Sequence, residues 1–131
     1  MATIAHRKGS MAFAVALWLL AIISPTAADP IEGVYAIEGS SPGDLAHYKG
    51  EAMVKRTGET FSVAWKIGAQ VFIGTGLVRD QVFSVAFRDS RTNAFAGVAS
   101  FRIENDKVRE GVWAQLGSKQ MGSETWAFTR R

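Results

Sequence analysis

His47, with Asp44 three residues before it, is the one place in the body of this chain where an imidazole and a carboxylate sit close enough in sequence to work together. The 131 residues hold two histidines, His6 and His47, and no cysteine. Thiol nucleophiles, disulfides and thiolate metal sites are therefore excluded, and the usual zinc sets cannot be assembled. A Ser/His/Asp arrangement around His47 would need a nucleophile and an oriented base, and the plainer expectation is a surface histidine entering a strand. Asp44, Asp80, Asp89 and Asp106 fall among turn residues, where a short carboxylate bonds local backbone.

Paired acids for glycoside chemistry would have to come from Glu51, Glu104, Glu110 and Glu124. Glu110 stands out because simple alternation puts it on one face with Val108 and Val112, which would turn it inward. The competing expectation is a rim glutamate paired with Arg102 or Arg109. Gly74-Thr75-Gly76 is no phosphate cradle, since it leads into no helix. With so few acids and bases to perturb, the sequence points away from an enzyme and names no cofactor.

What must position these residues begins after residue 28. His6-Arg7-Lys8 is a positive start, Met11 to Ile23 is uncharged and apolar, and Ser24-Pro25-Thr26-Ala27-Ala28 offers a breaker and small residues. That order is a secretory signal peptide, expected over residues 1–28 with cleavage after Ala28. The apolar stretch is short of the roughly 20 residues a spanning helix needs, so no membrane anchor is expected after cleavage. A periplasmic or secreted protein is the expectation, and residues 29–131 form a single domain. The chain carries 15 basic and 12 acidic side chains. Loss of Arg7 and Lys8 brings it near neutrality, with no basic stripe for nucleic acid.

From Tyr48 to Arg88 apolar residues recur at every second position. Thr60 to Ile67 is the clearest piece, with Phe61, Val63, Trp65 and Ile67 on one face. Breaks at Thr57-Gly58, Gly68-Ala69 and Arg79-Asp80 make this stretch an antiparallel meander. The same reading gives strands at 31–38, 47–56, 60–67, 71–78, 81–88, 95–104, 108–116 and 124–129. No segment keeps helical periodicity. The fold expected is all-β, an eight-stranded antiparallel up-and-down barrel, with a sandwich of two sheets as the alternative. Phe61, Trp65, Phe72, Phe83, Phe87, Phe101, Trp113, Trp126 and Phe128 supply the interior of such a barrel. Gly74 and Gly76 share a face where the wall bends or a side chain lies on bare backbone.

The succession Gly33-x-Tyr35, Tyr48-x-Gly50, Val63-x-Trp65-x-Ile67-Gly68, Gly74-x-Gly76-Leu77, Val85-Ala86-Phe87, Gly97-Val98-Ala99, Gly111-x-Trp113 and Gly122-x-Glu124 resembles a group of small exported bacterial proteins. Some of them carry the label fibronectin-binding protein. The architecture is also similar to calycin-type barrels, the lipocalins and avidins. That likeness implies an early aromatic, Tyr35, packed near a basic residue of the closing strand, Arg130.

Function follows less directly. The first expectation is an exported, non-enzymatic barrel that binds a small apolar ligand or an extracellular protein surface, with Tyr35, Trp65, Phe83 and Trp113 as candidate ligand-binding residues. Two alternatives are a secreted protease inhibitor, acting through residues 29–32, and a minor hydrolase using His47 or Glu110. An open mouth lined by Trp65, Phe83 or Trp113 would favour a ligand, and a filled barrel with an exposed patch would favour a protein partner.

Overall fold

Alternation of apolar and polar residues, held through eight short segments, buries one face of each strand and leaves the other to water. In the computed structural model, which describes residues 29–131, these faces close on themselves as a barrel. The targeting segment expected over residues 1–28 lies outside the described residues. The strands are β1 (Gly33–Ser40), β2 (His47–Thr57), β3 (Thr60–Ile67), β4 (Gln70–Arg79), β5 (Val82–Asp89), β6 (Gly97–Glu104), β7 (Lys107–Gln115) and β8 (Gly122–Arg130). Each pairs antiparallel with its neighbours in sequence, and β8 pairs with β1 to complete the ring. The arrangement is the up-and-down barrel, not the sandwich, and it leaves no free sheet edge.

Interior positions follow the alternation closely. Tyr35, Ile37, Ala52, Val54, Phe61, Val63, Trp65, Phe83, Val85, Ala99, Phe101 and Trp126 form one buried core, with Phe72, Phe87, Trp113 and Phe128 packed against it. All nine large side chains expected inside are found there. Bare backbone admits their rings: a Cβ on Gly76 would stand 2.4 Å from the ring of Phe83. The covering ring comes from the neighbouring strand.

The two ends of the barrel differ. At one end residues 29–32 turn across the opening instead of extending β1 from Ile31, because Glu32 N–H donates to the Asp29 carbonyl at 2.9 Å. Ile31 is thereby buried. Tyr35 Oη donates to the Ile31 carbonyl at 2.8 Å, Lys107 Nζ donates to the Pro30 carbonyl at 2.5 Å, and Arg56 pairs with Asp29 at 3.0 Å. Tyr35 packs on Trp126 and Phe128, whereas Arg130 reaches outward to Glu51 at 3.8 Å, so the Tyr35–Arg130 packing implied by the calycin likeness does not form. Lys107 takes that place, with Nζ 4.0 Å from the Phe128 ring centre.

A bulge in β7 settles the orientation of Glu110. Phe101 pairs with Gly111 and Ile103 with Val108, so Arg102 alone faces both Arg109 and Glu110. The extra residue shifts the alternation by one. Val108 and Trp113 both turn inward, while Glu110 turns out to meet Arg102 at 2.6 Å. Of the two orientations the sequence offered for Glu110, the structure has the outer one, the ion pair with Arg102.

Candidate functional site

The other end of the barrel is open. Four connections surround it: residues 41–46, 68–69, 90–96 and 116–121. Beneath them lies a pocket of about 290 Å³ walled by Tyr48, Trp65, Phe72, Phe87, Phe101 and Trp113. Gln70, Gln115 and Ser41 add polar groups to its lining, and Phe95 leans in from the rim. Edge-to-face contacts hold the rings in place: Phe87 meets Trp65 at 5.9 Å, Phe72 at 6.3 Å and Trp113 at 6.3 Å between centres.

One charged residue enters this apolar wall. Glu124 is only 5% exposed, because β8 places it on the inward face with Trp126. Its Oε1 accepts from Trp65 Nε1 at 3.0 Å and from Trp126 Nε1 at 2.6 Å, and its Oε2 accepts from Tyr48 Oη at 2.5 Å. No cation is paired with it among the described residues. Burial pushes its carboxyl above the ordinary range, and the three donors hold it back. The Tyr48 phenol is pushed up as well, first by burial and then by the neighbouring carboxylate.

Two glycines seat two of these rings. A Cβ on Gly39 would fall 2.1 Å from Tyr48, and one on Gly122 would fall 2.3 Å from Trp113 and 2.6 Å from the Ser40 carbonyl. Gly122→Ala is therefore expected to expel the Trp113 ring from the wall and to cost about 1 to 3 kcal/mol through overpacking. Near-UV circular dichroism and urea unfolding check this. An unchanged aromatic signal would mean that Trp113 does not rest on that glycine.

Trp113 carries a second unusual group. Its Nε1 is buried beside the Tyr48 hydroxyl, whose ionised form it favours, and makes no well-formed hydrogen bond among the described residues.

Of the four candidate ligand-binding residues, Trp65 and Trp113 line the pocket. Phe83 and Tyr35 do not: both are fully buried in the packed core, and the Tyr35 hydroxyl is held at the other end by the Ile31 carbonyl and the Val108 N–H. Glu124, which the sequence offered only as one of four scattered acids, and Tyr48 are pocket residues not expected to bind a ligand. The signal for Glu124 lay in Glu124-x-Trp126-x-Phe128, which puts the acid on the aromatic face.

His47 contacts Ser40 Oγ through Nδ1 at 3.0 Å and Asp44 through Nε2 at 3.5 Å. The trio sits on the outer wall, with His47 and Asp44 about three-quarters exposed (75% and 74%). Water surrounds it, and it borders no enclosed substrate space. The turn aspartates do local work, as where Asp89 Oδ1 accepts from the N–H groups of Arg91 and Thr92. Among the described residues no cluster of three His, Asp or Glu is placed to hold a metal ion.

No family model matches this chain, and no curated protein and no solved structure matches it.

Proposed function

We propose that this protein is an exported, non-enzymatic carrier that holds a small, mostly apolar ligand in the open mouth of its barrel. The observation that carries the reading is the pocket of about 290 Å³ among Tyr48, Trp65, Phe87 and Trp113, walled mainly by aromatic rings, whereas the hollow of about 280 Å³ at the other end, beside residues 29–31, is bordered by the charged Asp29, Arg56, Glu59 and Asp106. Small-molecule sites have this form: concave, largely apolar, with a few fixed polar groups. The volume suits a molecule of on the order of ten non-hydrogen atoms, at about 30 Å³ for a water-sized group. Burial of Ile31 and the ties to Arg56 and Lys107 weigh against the inhibitor reading, which needs residues 29–32 free.

Native mass spectrometry of the protein purified without refolding tests the proposal. A reproducible extra mass lost on denaturation is the expected result. A bare mass, together with no tryptophan fluorescence response to small aromatic compounds, would overturn it. That outcome would favour a second reading, a protein-binding mouth, for which the specific observation is the ring of exposed Leu45, Phe95, Leu116 and Met121 on the loops around the opening.

A further inference from the structure

A carboxylate buried among aromatic rings without a cation is the least expected feature of this barrel. Interiors of small barrels are filled by apolar side chains, and burying an ionised carboxyl costs several kcal/mol unless it is paired. Tyr48 from β2, Trp65 from β3 and Trp126 on β8 all donate to Glu124, and all are neutral. A carboxylate offers about four acceptor positions. Oε1 receives two donors and Oε2 one, so Oε2 keeps a free lone pair in a residue that borders the pocket.

We propose that the pocket takes a small organic cation, an amine on an aromatic body, with its ammonium on Glu124 and an oxygen acceptor on Trp113 Nε1. The inference rests on the carrier reading and specifies its ligand. Three observations converge on it. The Glu124 carboxyl, whose ionised form burial disfavours, has no internal counter-charge, and a bound ammonium would supply one. The rings of Tyr48, Trp65, Phe87 and Trp113 surround the space before it, and a ring that turns its face to a cation attracts it by roughly 0.5 to 2 kcal/mol. The Trp113 N–H, buried beside the Tyr48 hydroxyl without a well-formed bond, is a donor that an acceptor on the ligand would take over. An anionic ligand would meet Glu124 directly and be repelled. A neutral apolar ligand would fill the space and leave the open lone pair of Glu124 Oε2 and the Trp113 N–H unused.

Three compounds of matched length separate the possibilities: tyramine, 4-propylphenol and 3-(4-hydroxyphenyl)propionate. Their affinities are read at pH 7 by isothermal titration and tryptophan fluorescence. Tyramine is expected to bind roughly tenfold or more tighter than 4-propylphenol, and the propionate weakest of all. In Glu124→Gln the tyramine affinity should fall to that of the neutral compound.

Equal or tighter binding of 4-propylphenol overturns the cation assignment while leaving the carrier reading in place. A tyramine preference that survives Glu124→Gln also overturns it, because the preference then arises elsewhere. Failure of all three compounds to bind, at concentrations where a bound mass is equally absent, overturns both. Should Glu124→Gln not fold, the ratio of tyramine to 4-propylphenol in the unaltered protein decides alone.

Discussion

Urea unfolding of the Trp65→Ala protein should show a loss of about 3 to 5 kcal/mol, the range for removing a large aromatic from a packed core. Three contributions add here. The indole is 5% exposed and lies between Phe87 and Trp126, at 5.9 and 6.0 Å, so most of its apolar surface leaves water on folding. Its removal opens a void that the closed wall cannot collapse to fill, since β3 is fixed on both sides by β2 and β4. Glu124 also loses a donor. A loss under about 1 kcal/mol would place the ring in a hydrated chamber instead of the core.

Glu124→Leu should be comparably damaging, for a different reason. It strands two indole N–H groups and the Tyr48 hydroxyl, and each buried donor left unpaired costs roughly 1 to 3 kcal/mol. Glu124→Gln is milder because it keeps one acceptor oxygen. The milder variant exposes the sign of the charge effect. Burial raises the folded-state pKa of Glu124 above its value in the unfolded chain. Its contribution to stability is therefore fully present below the ordinary carboxylate range, near pH 4, and is lost as pH rises through the raised value. The groups facing it are Tyr48, Trp65 and Trp126, and of these only Tyr48 titrates, far to the alkaline side. The penalty of Glu124→Gln should accordingly be larger at pH 4 than at pH 7. A penalty that grows with pH would mean that the three donors outweigh burial and hold the pKa down.

Much of the architecture could be read from one dimension because barrel interiors obey a period of two. Phe61, Val63, Trp65 and Ile67 needed no further information to be placed together, and the short turns between strands required each to pair with the next. Charge alone put Glu110 at the rim with Arg102, against the alternation, and the bulge that reconciles the two is a tertiary event: one extra residue opposite Arg102 reverses the faces on either side of it, and nothing local at Arg109-Glu110 announces it. The start of β1 was misplaced for a similar reason, since Ile31 continues the alternation while its backbone is drawn into a turn at the end of the barrel. Phe83 and Trp113 show the limit for the site. Both are inward aromatics, and only the height of each along its strand decides which meets the core and which meets the mouth. Register across several strands fixes that height.

Seven of the eight seams in this barrel join strands adjacent in sequence, and the eighth joins β1 to β8. Hairpins can zip by local encounter, but the last seam must bring together distant parts of the chain, a slower search paid for in loop-closure entropy. The polar floor of the pocket lies on the far side of that search: Glu124 finds Trp65 and Tyr48 across 59 and 76 residues. A molecule that binds there recognises only the finished ring. It would act as a latch, slowing reopening by mass action and marking, by its presence, chains whose assembly is complete.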